Sequence, residues 1–288
     1  MFYFLIFSEI TTTLINHLDN AIFLLIFTTM SNSPIGIFDS GVGGTSIWRE
    51  IHKLLPHENT IYLADSKNAP YGPKGKEKIT ELSIKNTDLL LQKGCKLIVV
   101  ACNTATTNAI RYLRKNYDVP FIGIEPAIKP AALQTKSNTI GILATKGTLS
   151  SELFYKTTDL YANGVNVIEQ VGEGLVPLIE NGAIDSPEME KLLKLYIAPM
   201  IAANIDYLVL GCSHYPYLIP KLQTLLPKNV TIIDSGAAVA RQTQAILTQH
   251  ELCAPNSNIG NCVFYSNGKP EILSDILKED FTIEALDF

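Results

Sequence analysis

The chain has 288 residues, a hydrophobic fraction of 47% and a formal net charge of −5, which predicts about two domains with an ample core. An acidic chain with no Lys/Arg run lacks the positive surface that nucleic acids attract, so no nucleic-acid partner is expected. Its five cysteines include no C-x-x-C pair, which disfavours a disulfide framework and a structural zinc site. A reducing cytoplasm is therefore the expected compartment.

The first segment, residues 1–29, differs from the rest of the chain. It is rich in Phe, Ile, Leu and Thr, contains no Lys or Arg, and precedes a second methionine, Met30. Its longest apolar run, residues 21–27, is too short for a membrane-spanning helix, and a secretory signal needs a positive start. We expect an extension outside the fold, with Met30 as the true start and no membrane partner. A membrane-associating or disordered tail is the weaker alternative.

From Met30 onward, short apolar runs alternate with amphipathic segments, which is typical of an α/β protein with buried parallel strands. The predicted strands are residues 35–38, 60–64, 97–100, 119–124, 139–144, 165–169, 207–210 and 230–233. The predicted helices begin near residues 45, 128 and 236 or cover residues 77–93, 104–116, 152–162 and 186–203. The C-terminal stretch is expected to form a short strand and closing turns, with Cys253 and Cys262 in packing roles.

Two loops at predicted strand ends carry polar side chains. In the first, Asp39 precedes a glycine turn whose backbone N–H groups could approach an anion, although Ser46 stands where a dinucleotide fingerprint needs its last glycine. Asp39 either caps the following helix or takes part in chemistry. The second loop, residues 65–73, is rigid and polar. There Tyr71 is expected to present its hydroxyl or ring to a ligand.

The chain carries two internal similarities. Residues 97–107 and 207–216 are each an apolar strand followed by a small residue, a cysteine and a short polar residue, and residues 35–46 resemble residues 140–151. We therefore predict two similar, pseudo-symmetric α/β domains with mainly parallel sheets and a site in the cleft between them. The predicted division is residues 30–126 with 235–288, and residues 127–234.

Each half offers one cysteine at a strand end, where open α/β sheets place their ligands. A thiol at a helix N-terminus is favoured as thiolate and can exchange protons near neutral pH, and His214 is close enough to Cys212 to share its proton. If the halves face each other, Cys102 and Cys212 flank one cleft. That geometry suits removal of a proton from one face of a carbon and its return to the other. Cys95 is expected to be inert core.

Four motifs occur in an order and spacing that resemble the signature set of the bacterial glutamate racemases, in the aspartate/glutamate racemase family. They are DSG at 39–41, PYG at 70–72, CNT at 102–104 and GCSHYP at 211–216. The resemblance covers about residue 34 to the C-terminus. It implies a cofactor-independent racemase that makes D-glutamate for the peptidoglycan cell wall.

Position by position, the resemblance implies that Cys102 and Cys212 transfer the protons, with Asp39 assisting the first and His214 the second. The substrate-binding residues that it implies are Asp39, Ser40, Tyr71, Gly72, Asn103, Thr104, Thr145, Thr148, Ser213 and His214. Ser213 stands where the family usually has threonine. The hydroxyl is retained but the methyl group that restricts its rotamer is lost. No metal and no cofactor are expected, because the dinucleotide fingerprint fails, the sequence offers no metal-ligand cluster, and two thiols are placed for the chemistry. No lysine stands in a Schiff-base setting either.

Three other functions remain open on the sequence. A related aspartate racemase would share the two thiols, although the residues from His214 to Pro216 favour glutamate. A hydrolase could use Cys212 as nucleophile and His214 as base, but it would leave Cys102 unexplained. A two-lobed binding module could close on a ligand without chemistry. The sequence leaves the oligomeric state open, a homodimer included.

Overall fold

The structure is a computed structural model that describes residues 31–255, 259–279 and 281–288. The expectation for residues 1–29 lies outside the described residues. In the described part of the chain the strands are β1 (Ile35–Asp39), β2 (Thr60–Ala64), β3 (Leu97–Val100), β4 (Phe121–Gly123), β5 (Thr139–Ala144), β6 (Asn166–Val171), β7 (Tyr207–Gly211), β8 (Thr231–Ile233), β9 (Cys262–Ser266) and β10 (Thr282–Ala285).

The helices surround these strands. They are α1 (Thr45–Leu54), α2 (Lys76–Gln92), α3 (Asn103–Asn116), α4 (Ile128–Gln134), α5 (Lys146–Leu149), α6 (Glu152–Tyr161), α7 (Leu175–Glu180), α8 (Pro187–Ala202), α9 (Ile219–Leu225), α10 (Gly236–Gln249) and α11 (Pro270–Leu277). Short 3₁₀ turns lie at Ser66–Asn68 and Tyr215–Leu218. No helix in the described ranges combines the length and apolar character needed to cross a membrane.

Two wholly parallel sheets organise the molecule. The first has the order β10-β9-β2-β1-β3-β4 and the second the order β6-β5-β7-β8. The segment β2-β1-β3-β4 therefore repeats as β6-β5-β7-β8, which confirms the predicted α/β duplication. We call each sheet with its flanking helices a half. In both halves the strand that leads to the cysteine, β3 or β7, pairs with the strand that opens the half.

Burial follows from the sequence of the central strands. β1 is buried along its whole length, and β3 is the continuous apolar run LIVV, as expected for strands covered on both faces. One core cluster includes side chains of both halves, among them Trp48 and Met189. Trp48 is 2% exposed and meets the edge of Phe264 at 4.8 Å. Loss of such a buried ring costs about 3–5 kcal/mol.

Local signals fix the starts of two of the helices. Cys102 is the N-cap of α3, and its sulfur accepts a hydrogen bond from the N–H of Ala105. Ser186 is the N-cap of α8, and Pro187 occupies the first turn, where its missing N–H costs nothing. Both features agree with the helices predicted there.

The C-terminal prediction was wrong in two respects. After β9 the chain forms α11, which buries Leu273 and Leu277, and then β10, which extends the first sheet beside β9. The signal for α11 is Pro270 at the first helical turn, followed by apolar residues at helical spacing. The prediction of closing turns overlooked it. Cys262 is buried, but Cys253 is exposed and does not pack in the interior.

Candidate active site

The carboxyl ends of β1, β3 and β7 bring the predicted site residues together. One small cavity is lined by Ser40, Pro70, Tyr71, Gly72, Cys102, Asn103, Thr104, Thr145, Val176, Cys212, Ser213 and His214. Pro70 and Val176 were not predicted. Asp39 and Thr148 do not line the cavity, but each bonds a residue that does. The two cysteines therefore face one space from opposite halves.

The cavity at the cysteines has a very small volume. Its volume is about 10 Å³, roughly what a single water molecule needs. An amino acid is far larger, so it can enter only if the walls separate. The structure thus shows the site in a closed arrangement.

Cys102 lies at the start of α3 but is not poised as a thiolate. Its sulfur accepts the N–H of Ala105 at 3.4 Å, and the side chain is buried. Burial raises the pKa of the Cys102 thiol well above its usual range, and the carboxylate of Asp39 raises it further. The helix N-terminus acts in the predicted direction but is outweighed by desolvation. The expectation of a thiolate here was wrong, and Cys102 is a protonated thiol at neutral pH.

His214 connects the second thiol to two carboxylates. Its Nδ1 lies 3.8 Å from Cys212 Sγ, and its Nε2 lies 2.5 Å from Glu180 Oε1. Asp39 Oδ2 is 3.9 Å from Nδ1. Burial alone would lower the pKa of His214, but the hydrogen bonds with Cys212 and Glu180 and the charge of Asp39 raise it well above its ordinary value. The ring is thus held as an imidazolium beside Cys212.

Asp39 both caps the glycine turn and reaches across the cleft. Its Oδ2 accepts the N–H groups of Gly41 at 3.2 Å and Gly44 at 3.1 Å. Its Oδ1 accepts the hydroxyl of Ser213 at 3.0 Å. Burial raises the pKa of Asp39, and the charge of His214 opposes that shift. The hydroxyl of Ser213 is therefore used as a donor to Asp39.

The glycine turn binds the protein's own carboxylates. The N–H of Val42 donates to Glu180 Oε1 at 2.7 Å. A Cβ at Gly41 would come within 1.9 Å of Glu180, and one at Gly43 within 2.2 Å of the His214 ring. The glycines are needed because these side chains pack directly on the turn. In this structure the N–H groups of Gly41, Val42 and Gly44 donate to side-chain carboxylates.

Glu180 was not predicted from the sequence. It ends α7 and accepts from Val42, from Ser66 Oγ at 2.8 Å, and it pairs with His214. No motif surrounds it, and its partners are far away along the chain. Only the fold brings it to the cleft.

The hydroxyl of Tyr71 is committed to other side chains. It donates to Asp65 Oδ2 at 2.5 Å and accepts from Asn86 Nδ2 at 3.1 Å. Asp65 also accepts from Asn267 at 2.6 Å. The ring of Tyr71 lines the cavity as predicted, but its hydroxyl anchors the loop.

Threonine hydroxyls join the two halves beside the cavity. Thr104 and Thr145 lie 2.8 Å apart, and Thr145 and Thr148 lie 3.1 Å apart. Next to them Asn103 is 2% exposed, and neither its Nδ2 nor its Oδ1 has a hydrogen-bond partner among the residues that the structure describes. Buried polar groups are normally paired. An amide left open at the cavity wall is a ready donor and acceptor for a bound polar ligand.

The described residues include no group of three His, Cys, Asp or Glu side chains placed to hold a metal. The chemistry that these side chains can perform is proton transfer between sulfur, imidazole and carboxylate.

Comparison with known proteins identifies the family. The family described as Asp/Glu/Hydantoin racemase matches residues 35–243. The chain belongs to this racemase family. It is 46% identical over 241 residues to a glutamate racemase of Herpetosiphon aurantiacus, covering 84% of this chain and 95% of the relative. It is 51% identical over 225 residues to a glutamate racemase of Ectopseudomonas mendocina, covering 78% and 86% of the two chains.

Solved structures of the same family share the fold. A glutamate racemase isoform from Bacillus anthracis superposes with a TM-score of 0.81 and 30% identity, covering 90% of this chain and 98% of that one. The Escherichia coli enzyme, solved with L-glutamate and an activator, gives a TM-score of 0.78 and 33% identity, covering 88% and 98%. The motif resemblance is thereby confirmed, and the chain is an isomerase of the racemase class.

Proposed function

We propose that the protein is a glutamate racemase that interconverts L- and D-glutamate by a two-base mechanism without a cofactor. The observation that carries this proposal is that Cys102 and Cys212, from equivalent strands of two halves, line one cavity. The relatives and solved structures of this racemase family support glutamate as the substrate.

The charges beside the two thiols differ, which suits one direction of the reaction. The imidazolium of His214 lies beside the sulfur of Cys212, whereas burial and Asp39 keep Cys102 protonated. Cys212 would remove the α-proton from one face, and the thiol of Cys102 would deliver its proton to the other face. The site is thus poised for the enantiomer whose α-proton faces Cys212, which by family analogy is L-glutamate.

Removal of the α-proton places negative charge beside a carboxylate, so fixed donors must stand where that charge develops. The unpaired amide of Asn103 and the hydroxyls of Ser40, Thr104 and Thr145 line the same cavity. We assign them to the amino and carboxylate groups of the substrate. Thr148 supports Thr145, and Ser213 orients Asp39, so both act through a neighbour.

Substrate access requires that the two halves separate at the cleft. We propose that they move as the domains formed by residues 30–126 with 235–288 and by residues 127–234. The sheets support this division, because β1–β4, β9 and β10 belong to one and β5–β8 to the other. The product D-glutamate would serve peptidoglycan synthesis in the cytoplasm.

One incubation tests the reaction and its rivals together. The purified protein, dialysed against a chelator and a carbonyl reagent, is incubated with L-glutamate in heavy water, and both enantiomers are followed. We expect D-glutamate carrying deuterium at the α-carbon and loss of the α-hydrogen to solvent. Activity that returns only with an added metal or cofactor would contradict the proposal. Faster turnover of aspartate would favour an aspartate racemase, and no α-exchange on either amino acid would favour a binding module.

A further inference from the structure

A second cavity lies beside the cysteines and has a different character. Its volume is about 610 Å³, against about 10 Å³ at the thiols. The start of α2, the middle of α3 and the segment from α5 to α6 form its walls. Its size is that of pockets that hold small-molecule ligands. Apart from Gly72, the residues assigned a role above do not line it.

The walls of this basic cavity are strongly positive. Lys74, Lys76, Arg111 and Lys146 line it, together with the single carboxylate of Glu152. The Glu152 carboxylate already forms two ion pairs, because it lies 2.5 Å from the ammonium group of Lys156 and 3.5 Å from the guanidinium group of Arg111.

The three lysine ammonium groups of the basic cavity make no ion pair or hydrogen bond with the described residues. The chain as a whole carries a net charge of −5. A local concentration of unpaired cations in an acidic protein attracts anions.

The cations come from both halves of the molecule. Lys74 and Lys76 lead into α2, which belongs to the first half, whereas Lys146 begins α5, which follows β5 of the second sheet. The two walls already touch, since Asn108 Nδ2 donates to the carbonyl of Gly147 at 3.2 Å. Gly72 lines both this cavity and the one at the cysteines. An anion bound here would therefore bridge the halves next to the cleft.

We propose that the basic cavity binds a small, multiply charged anion of the phosphate class, held by lysines of both halves. Lysine ammonium groups bind phosphate as point charges. The first turn of α2 has Gly75 as N-cap with no side-chain cap, so its N–H groups remain available to an anion. Glutamate itself fits poorly, because its ammonium group would lie among cations without a free carboxylate.

Isothermal titration of the full chain with tripolyphosphate at low ionic strength tests the site. The variants are Lys76→Gln and Lys146→Gln, one from each wall, with Lys115→Gln as a matched control. Lys115 is exposed on α3 and does not line the cavity. We expect each wall variant to weaken binding about two- to fivefold, as is typical of exposed charge pairs. The double variant should lose more than either, and the control should bind like the wild type.

Three results would overturn the proposal. The first is equal weakening in the Lys115→Gln control, which would place the anion on the general surface. The second is an effect of only one wall variant, because the ligand is held by both. The third is tighter binding of citrate than of tripolyphosphate, which would remove the assignment to phosphate.

A stability measurement gives an independent readout. Because the anion would join the two halves, tripolyphosphate should raise the Tm of the wild type and of Lys115→Gln by mass action. It should raise the Tm of the double wall variant by clearly less, because the weakened site binds less of the anion at the same concentration. A rise of equal size in the double variant would refute the bridge. Neither experiment depends on racemase activity, so this proposal and the proposed function can fail separately.

Discussion

The pairing of Glu180 with His214 gives the sharpest test of the proposed chemistry. Replacing Glu180 with glutamine keeps the shape and leaves an oxygen that can accept the N–H of Val42, but it removes the charge 2.5 Å from Nε2. The imidazolium of His214 then loses a stabilising partner, so its pKa must fall. The positive charge beside Cys212 is then lost at a lower pH, and proton removal by Cys212 loses that electrostatic support.

The magnitude follows from the bond that is lost. A hydrogen bond to a charged group is worth about 1.5–3 kcal/mol, which corresponds to roughly a ten- to hundredfold loss of rate. The enantiomers have equal free energy, so kcat/KM must fall equally in both directions of racemisation. Racemisation alone therefore cannot tell which thiol is affected.

Chloride release from β-chloroglutamate separates the thiols, because loss of the α-proton expels chloride without a second protonation. In Glu180→Gln we expect release from the enantiomer served by Cys212 to fall about ten- to hundredfold. Release from the enantiomer served by Cys102 should stay near the wild-type rate. The matched control is Glu188→Gln, an exposed glutamate on α8, which should behave as wild type. Equal losses for both enantiomers would refute the assignment of Glu180 to His214.

The same substitution has a consequence for stability. A group whose pKa is raised by folding stabilises the protein below its unfolded pKa, which for histidine is about 6.5, and loses that contribution as pH rises through the folded value. The pKa of His214 is raised by folding. Glu180→Gln should therefore destabilise the protein more at about pH 6 than at strongly alkaline pH, as measured by denaturant unfolding with CD detection. A destabilisation that grows with pH would contradict the raised pKa.

Three further predictions concern other parts of the structure. Cys102→Ser and Cys212→Ser should each abolish racemisation, yet release chloride from opposite enantiomers of β-chloroglutamate; racemisation near the wild-type rate in either would refute two-base transfer. Gly43→Ala should reduce kcat strongly in a folded protein, because its Cβ would lie 2.2 Å from the imidazole; unchanged kcat and a wild-type CD spectrum would contradict this. Lys96→Met should lower the free energy of unfolding in urea by about 3–5 kcal/mol, because the carboxylate of Glu58, whose side chain is only 4% exposed, loses its ammonium partner. A loss below about 1 kcal/mol would show that other groups compensate the charge of Glu58.

The strands, and the position of each cysteine at a strand end, could be predicted because their sequence signals are local. The run LIVV and the polar residues that follow it specify a buried strand that ends at a helix, and the observed β3 and α3 begin where the pattern indicates. The repeated strand–cysteine pattern likewise predicted the duplicated strand order. Such signals need only a few neighbouring residues.

The contacts that tune the site could not be predicted, because they depend on distant residues. Glu180 lies 138 positions from Val42 and 34 from His214. Asp65 is bound by Asn267, which is 202 positions away. The pKa of Cys102 was misjudged for the same reason, since its helix position is local but its burial results from the whole fold.

The two halves are alike in strand order but unlike in the charges beside their thiols. An imidazolium faces Cys212, whereas the carboxylate of Asp39 acts on Cys102. In the proposed mechanism Cys102 donates its proton to the α-carbon, and its sulfur then becomes a buried thiolate near the negative charge of Asp39, which is its less stable state. Return of a proton to it is therefore favourable, and it restores the starting condition. The charge asymmetry thus gives a duplicated scaffold one preferred resting state, even though the reaction that it catalyses has no preferred direction.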